Sequence, residues 1–290
     1  MSKKILILFF VISLVGFGFF GMKLFQALQT YSRGNEIYNS ISEIAYSTST
    51  SDPVRAEIPS DNIQGFNTNT ESRAAEIITE RSLTQQQIEM PEPSETNASK
   101  GHKSSMNFES LHEINPDIKG WIKLENSKVD YPILQSNDND FYLHHAVNGE
   151  WNKVGTPFID YRCEGNFSDR ITVIYGHYME NGTMFTDLHK YKGQKYFDEH
   201  PVINLFTPDG DYDIYPVAGV FQNVEYWDFT LDFYSDEQFL HYIDNWKAVS
   251  TFKSDTSYTA EDRFIALTLC TYDIEDGRYI LVGKIVSKDS

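Results

Sequence analysis

The sequence predicts a mostly β fold: a closed, largely antiparallel barrel with a few peripheral helices, one of them long and placed just before the final strands. Three observations lead there. Seven strand-like runs follow one another between residues 118 and 286, and turn signals such as Glu125-Asn126-Ser127, Pro208-Asp209-Gly210 and Glu275-Asp276-Gly277 separate several of them. Only one long stretch among them, after Ser235, has helical spacing. Many short strands with one or two helices close most readily into a barrel, which leaves no sheet edge exposed. No internal repeat is present.

Taken in order, the chain opens with Lys3 and Lys4, followed by an apolar run from Ile5 to Met22 whose only polar side chain is Ser13; Lys23 ends it. As a helix this run would rise ~27 Å, close to the ~30 Å hydrocarbon core. A cleaved signal peptide would have a shorter apolar core and an Ala-x-Ala-like site, and neither is found. The competing reading is a buried core helix. The expectation is therefore a signal-anchor over residues 1–23, membrane contact through residues 5–22, a cytoplasmic N-terminus and the rest of the chain outside the cell. Residues 24–46 suit a juxtamembrane helix, with Leu24, Phe25, Leu28, Tyr38, Ile41 and Ile44 at loosely helical spacing. Residues 47–105 are rich in Ser, Thr, Glu, Asn, Gln and Pro and read as a flexible stalk, with a transient helix near Ala74 to Met90.

Residues 106–290 hold most of the aromatics and form the folded part. A short helix is expected from Phe108 to Ile114, capped by Asn107 and stopped before Pro116. Strands are expected at Ile118–Leu124, Val129–Leu134, Ile171–Tyr175, Val202–Phe206, Tyr212–Phe221, Phe264–Leu269 and Tyr279–Val286. The long helix begins at the Ser235 cap, with Gln238 at capping-box spacing, and carries Phe239, Leu240, Ile243, Trp246 and Val249.

Composition narrows the function. The net charge of −18 makes nucleic acid an unfavourable partner, because its phosphates would be repelled. Two cysteines, Cys163 and Cys270, form no disulfide framework in a chain of 290 residues. There is no CxxC, HExxH or Cys/His cluster and no calcium loop, so neither a metal nor a cofactor is expected.

Three residues carry candidate chemistry. Cys270 ends the apolar run Phe264 to Leu269. Alone, a free Cys there reads as a small buried hydrophobe. Arg278 shifts that reading, because it opens the next apolar strand eight residues on and would enter a hairpin beside the Cys. A guanidinium so placed suits an oxyanion; the competing role is a surface ion pair with Glu275 or Asp276. His177 follows the apolar run Ile171 to Tyr175 through Gly176, which puts an imidazole at a strand mouth. A nucleophile, a proton-transfer group and a fixed cation are what acyl transfer through a thioester needs.

Three stretches show a family resemblance. GTPFIDYRCEGNFSDRITVIYGHYMENGTMFTDLHKY (Gly155 to Tyr191) resembles the histidine-bearing region of class B sortases, the membrane-anchored cysteine transpeptidases of Gram-positive bacteria. ALTLCTYDIEDGRYILVGKIV (Ala266 to Val286) resembles their Cys…Arg segment, and SNDNDFYLHH (Ser136 to His145) their Asp-Asn-x-x-Tyr-Leu stretch. The helix before the Cys strand fits the insertion that marks class B. One departure is clear: the family reads Thr-Leu-x-Thr-Cys, and Leu269 stands here where Thr precedes the Cys.

The resemblance implies an extracellular sortase domain over residues 106–290. Cys270 would attack the carbonyl of a Thr in a C-terminal sorting signal, His177 would protonate the leaving amine and deprotonate the incoming one, and Arg278 would hold the substrate and its oxyanion. It also implies that Asn139, Leu143, Tyr175 and Thr268 line the substrate groove, with Tyr226 and Trp227 as further positions. The partners would be surface proteins bearing a sorting motif and an amine acceptor, usually a peptidoglycan precursor. Cys163 reads as a free, non-catalytic thiol, and Asp160 and Asp169 as loop and turn residues rather than acids of a triad. Two other functions compete: a hydrolytic cysteine peptidase, whose papain-type order of Cys before His is not met here, and a non-catalytic surface binding module.

Overall fold

The computed structural model describes residues 3–47, 104–223, 228–271, 273 and 276–288. The stalk expected over 47–105 and its transient helix fall almost wholly outside the described residues. Those described belong to one compact unit.

Eight strands close into a barrel: β1 (Ile118–Lys123), β2 (Asp130–Leu134), β3 (Phe158–Ile159), β4 (Ile171–Gly176), β5 (Ile203–Thr207), β6 (Gly210–Asn223), β7 (Arg263–Thr271) and β8 (Gly277–Ser287). Their order around the wall is β1-β2-β3-β4-β7-β8-β6-β5. All seven expected strands are present within a few residues of their expected bounds. The eighth, β3, is two residues long, too short to leave a pattern of its own. Most pairings are antiparallel, but β2 pairs β3 and β4 pairs β7 in parallel. The parallel β4–β7 pair brings together the two strands expected to present His177 and Cys270. Its register runs from Ile171 opposite Phe264 to Gly176 opposite Leu269.

Trp121, Ile122, Val173, Ile174, Leu205, Phe264, Ile265, Tyr279 and Leu281 are among the side chains that fill the core, each at most 1% exposed. Helix α2 (Phe108–Ile114) takes its cap from Asn107, whose Oδ1 accepts from the Ser110 amide at 3.2 Å. A 3-10 helix (Phe185–Lys192) and the short α3 (Gln194–Glu199) follow β4. Neither was apparent in the sequence. Helix α4 (Asp236–Ala248) starts at Ser235, whose Oγ accepts from the Gln238 amide at 3.2 Å. The Gln238 side chain reaches back to accept from the Tyr234 amide at 2.8 Å. Phe239, Ile243 and Trp246 form its buried face, and Phe239 meets Phe264 of β7 edge-on. Burial of side chains this size contributes roughly 1.5–3 kcal/mol each. Val249 lies just beyond the last turn and is exposed.

The N-terminal expectation is corrected. The apolar run is the first part of one continuous 43-residue helix, α1 (Lys3–Ala45), which continues through polar residues such as Gln26, Ser32, Arg33 and Glu36. Among the described residues no helix is long and apolar enough to cross a membrane, so a single-pass membrane protein with an external domain is not supported. The last turns of α1 instead pack on the barrel. Ile37, Tyr38, Ile41 and Ala45 are buried there, and Tyr46 just beyond donates its hydroxyl to Asp130 Oδ1 at 2.7 Å. The Tyr38 hydroxyl meets the Gly155 carbonyl and Thr156 Oγ1.

Candidate active site

In the β7–β8 hairpin, Cys270 stands directly opposite Arg278. Directly opposed residues of an antiparallel pair project to the same face, so thiol and guanidinium share one side of the wall. Thr268, two residues before the Cys, lies on that face too, and Tyr175 of β4 stands beside Thr268 in the parallel register. Leu269, between Thr268 and Cys270, is 1% exposed within the core and also borders the cavity. The departure from the family pattern thus falls at a core position. A leucine there needs no hydrogen-bond partner, whereas a threonine hydroxyl would.

His177 lies one residue past β4. It is placed by a close approach at Gly176, where a Cβ would come within 2.3 Å of the Phe185 ring. Only glycine lets the fully buried Phe185 seat against that strand end. The Phe185 amide then donates to the His177 carbonyl at 3.0 Å. The ring is held by its Nε2, 2.8 Å from the Leu143 carbonyl. A carbonyl can only accept, so Nε2 carries the proton and Nδ1 is left as the basic nitrogen of the neutral ring. Burial pushes the His177 pKa below the ordinary histidine value; the Leu143 carbonyl works the other way, and the charges of His144 and Arg278 add to the depression.

Asn139, Leu143, Tyr175, His177, Thr268, Cys270 and Arg278 all line one cavity of about 250 Å³. Thr156, Phe158, Gly176 and Leu269 complete its lining. Tyr226 and Trp227 lie outside the described residues. Thr156 went unnoticed in the sequence because no motif marks it; it follows Gly155, which has φ +59° and lies close against the Leu143 carbonyl. The Arg278 guanidinium donates to the Gly277 carbonyl at 3.1 Å, and among the described residues no carboxylate pairs with it. The hydroxyl of Thr268 is buried and, among the described residues, has no hydrogen-bond partner. Cys163 is free and buried in the connection between β3 and β4, outside the cavity lining, with its thiol pushed up to about 12 by burial. Among the described residues no group of three or more His, Cys, Asp or Glu side chains is placed to hold a metal ion.

A second histidine adjoins the site. His189 of the 3-10 helix donates from Nε2 to Asp273 at 2.9 Å and lies 3.1 Å from Thr271 Oγ1. Lys192 also binds Asp273, at 2.8 Å. This network ties the 3-10 helix to the turn joining Cys270 to Arg278. Its sequence positions gave no sign of it, because His189 lies 84 residues from Asp273.

A closed eight-stranded barrel with a strand-borne Cys, a cross-strand Arg and a His just past the end of the adjoining parallel strand defines a sortase-type protein. No family model matches the chain. It is 35% identical over 180 residues to sortase B of Listeria monocytogenes, covering 61% of this chain and 73% of that one. A Staphylococcus aureus sortase B–substrate complex superimposes with a TM-score of 0.59 at 32% identity, covering 62% of this chain and 85% of that one. Sortase B from Bacillus anthracis in complex with AAEK2 gives 0.60 at 30%, covering 68% and 89%. The chain belongs to the class B sortases and is a sortase-family cysteine transpeptidase.

Proposed function

We propose that residues 106–290 cleave a C-terminal sorting signal after its Thr and join the new carboxyl end to an amine on a cell-wall precursor. The observation that carries this reading is the meeting of Cys270, His177 and Arg278 around one cavity. The neutral His177 ring takes the Cys270 thiol proton on Nδ1, the thiolate so formed adds to the Thr carbonyl carbon, and the negative charge moves to the carbonyl oxygen beside Arg278. The C–N bond then breaks. His177 gives a proton to the departing amine, leaving the acyl group on sulfur. An incoming amine attacks that thioester, loses its proton to His177 and expels the thiolate. The depressed basicity of the buried ring suits the giving step. The Arg278 guanidinium, without a carboxylate among the described residues, suits an oxyanion. That the S. aureus relative was solved in complex with its substrate supports a substrate-binding role for this fold.

The test uses the full chain with a panel of sorting peptides of Asn-Pro-x-Thr and Pro-x-Thr-Gly types, with and without triglycine. Intact mass spectrometry should show an acyl adduct on Cys270 that triglycine discharges, and none on Cys270→Ala. An adduct that discharges equally fast in water alone would make the protein a hydrolase instead. No adduct from any peptide, together with an inert Cys270, would favour a binding module.

A further inference from the structure

Three consecutive residues outside the reacting trio hold two residues of the cavity lining, Tyr175 and Asn139, and the segment that leads to α4. Asp160 immediately follows β3 and is 0% exposed. The Tyr175 hydroxyl donates to its Oδ2 at 2.8 Å. The Tyr161 amide donates to Asn139 Oδ1 at 3.0 Å. Arg162 binds Asp160 through its amide and Nε, each 3.0 Å from Oδ1, and through Nη2, 2.9 Å from Oδ2. The same guanidinium forks onto Asp228, with Nη1 at 2.9 Å and Nη2 at 3.1 Å. Asp228 opens the segment leading to α4. Its neighbour Phe229 lies edge-on to the Tyr175 ring at 6.5 Å and to Trp246 of α4 at 6.2 Å.

Asn139, Tyr175 and the 228–229 segment come from three parts of the chain. A buried carboxylate persists only when its oxygens are filled, and here a guanidinium, an amide and a phenol fill them. Burial opposes the charge, but the Arg162 and Tyr175 bonds outweigh it and hold the carboxyl below its usual range. Tyr175 is thereby fixed in rotation at the cavity wall, and Arg162 is fixed as an arm reaching Asp228. Asp228 is largely exposed, so this outer contact is the weaker one.

We infer that Asp160, Tyr161 and Arg162 form a positioning hub that aligns the peptide-binding walls of the cavity and sets substrate affinity, leaving the thiol chemistry to Cys270, His177 and Arg278. Among the described residues no hydrogen bond or ion pair joins the hub to any of those three. Its role in affinity rests on the transpeptidase reading, whereas its role in ordering the walls does not.

The experiment compares the full-length protein with Asp160→Asn, Arg162→Gln, Arg162→Lys and Tyr175→Phe. Hydrogen exchange of the amides in 228–234 reads the order of the segment that Arg162 holds against the Tyr175 wall, iodoacetamide alkylation of Cys270 reads thiol reactivity, and acylation by the best sorting peptide of the panel gives KM and kcat. Asp160→Asn and Arg162→Gln should raise KM by about tenfold, with kcat and alkylation within about twofold of wild type. Exchange in 228–234 should quicken, and Arg162→Lys should recover part of the loss. Should Asp160→Asn fail to fold, Tyr175→Phe removes one hydroxyl only and should raise KM by about threefold. Unchanged exchange in 228–234 overturns the hub whether or not any peptide reacts. Unchanged KM, or kcat and alkylation falling in step with KM, overturns its role in affinity. A wild-type protein that no peptide acylates defeats the transpeptidase reading, and exchange still judges the hub.

Discussion

The two sides of the cavity are built by different means. Cys270 and Arg278 face each other across a regular antiparallel ladder, with the register unbroken from Arg263 opposite Ile285 to Thr271 opposite Gly277. Much of the remaining lining, Asn139, Leu143, Thr156 and His177, comes from loops. His177 is held by the Leu143 carbonyl, Leu143 is packed against the Gly155 turn, and Asn139 is held by the Tyr161 amide. The ladder places nucleophile and cation by backbone geometry alone. The loop wall depends on single contacts between distant residues, so small changes there can move a ring without harming the fold.

The sharpest way to break the comparison is on the ladder. Arg278→Lys keeps the charge and the strand but loses the planar fork. If the guanidinium meets an oxyanion, kcat/KM for peptide acylation should fall by roughly 10²–10³, about 3–4 kcal/mol, with the melting temperature nearly unchanged. Retained activity would return Arg278 to an ordinary surface cation.

On the loop wall the corresponding probe is Gly155→Ala. Its φ of +59° disfavours a side chain, and a Cβ would meet the Leu143 carbonyl at 2.6 Å. Strain of roughly 1–3 kcal/mol should lower stability and push the Leu143 carbonyl away from His177 Nε2. Acylation should slow by about tenfold, and denaturant unfolding should show the stability loss. A slowed reaction at unchanged stability would mean that the turn yields and only the ring moves.

The same contrast explains what the sequence revealed. Strand β7 could be read from Phe264 to Leu269 because five apolar residues broken only by Thr268 mark a strand covered on both faces. The Cys270–Arg278 pairing followed from a short turn. The helix from Ser235 was legible because its cap and apolar face are local. Strand β3 was hidden, since two residues have no period and its partners are distant in the chain. Asp160 read as a loop residue because its worth lies in contacts with Tyr175, 15 residues on, and through Arg162 with Asp228. At the N-terminus the apolar run spoke louder than the amphipathic turns after it, yet those later turns make the contacts seen on the barrel.

The smallest expected effect joins the two regions, through His189. Burial and the charge of Lys192 depress its pKa against the pull of Asp273, and burial likewise depresses that of His177. The unfolded chain then binds protons that the folded chain refuses. Stability from these rings is therefore fully present above the unfolded histidine value of ~6.5 and is lost as pH falls below it toward the folded values. Urea unfolding of the full chain should show this decline between pH ~6.5 and the acid range. His189→Gln should flatten part of the decline and loosen the turn between Cys270 and Arg278, costing about 1 kcal/mol at neutral pH. His177→Gln should flatten the remaining part while leaving that turn intact. An unaltered slope in both variants would place the acid sensitivity in the carboxylates. Loss of the turn in His177→Gln as well would mean that loop wall and ladder are one mechanical unit rather than two.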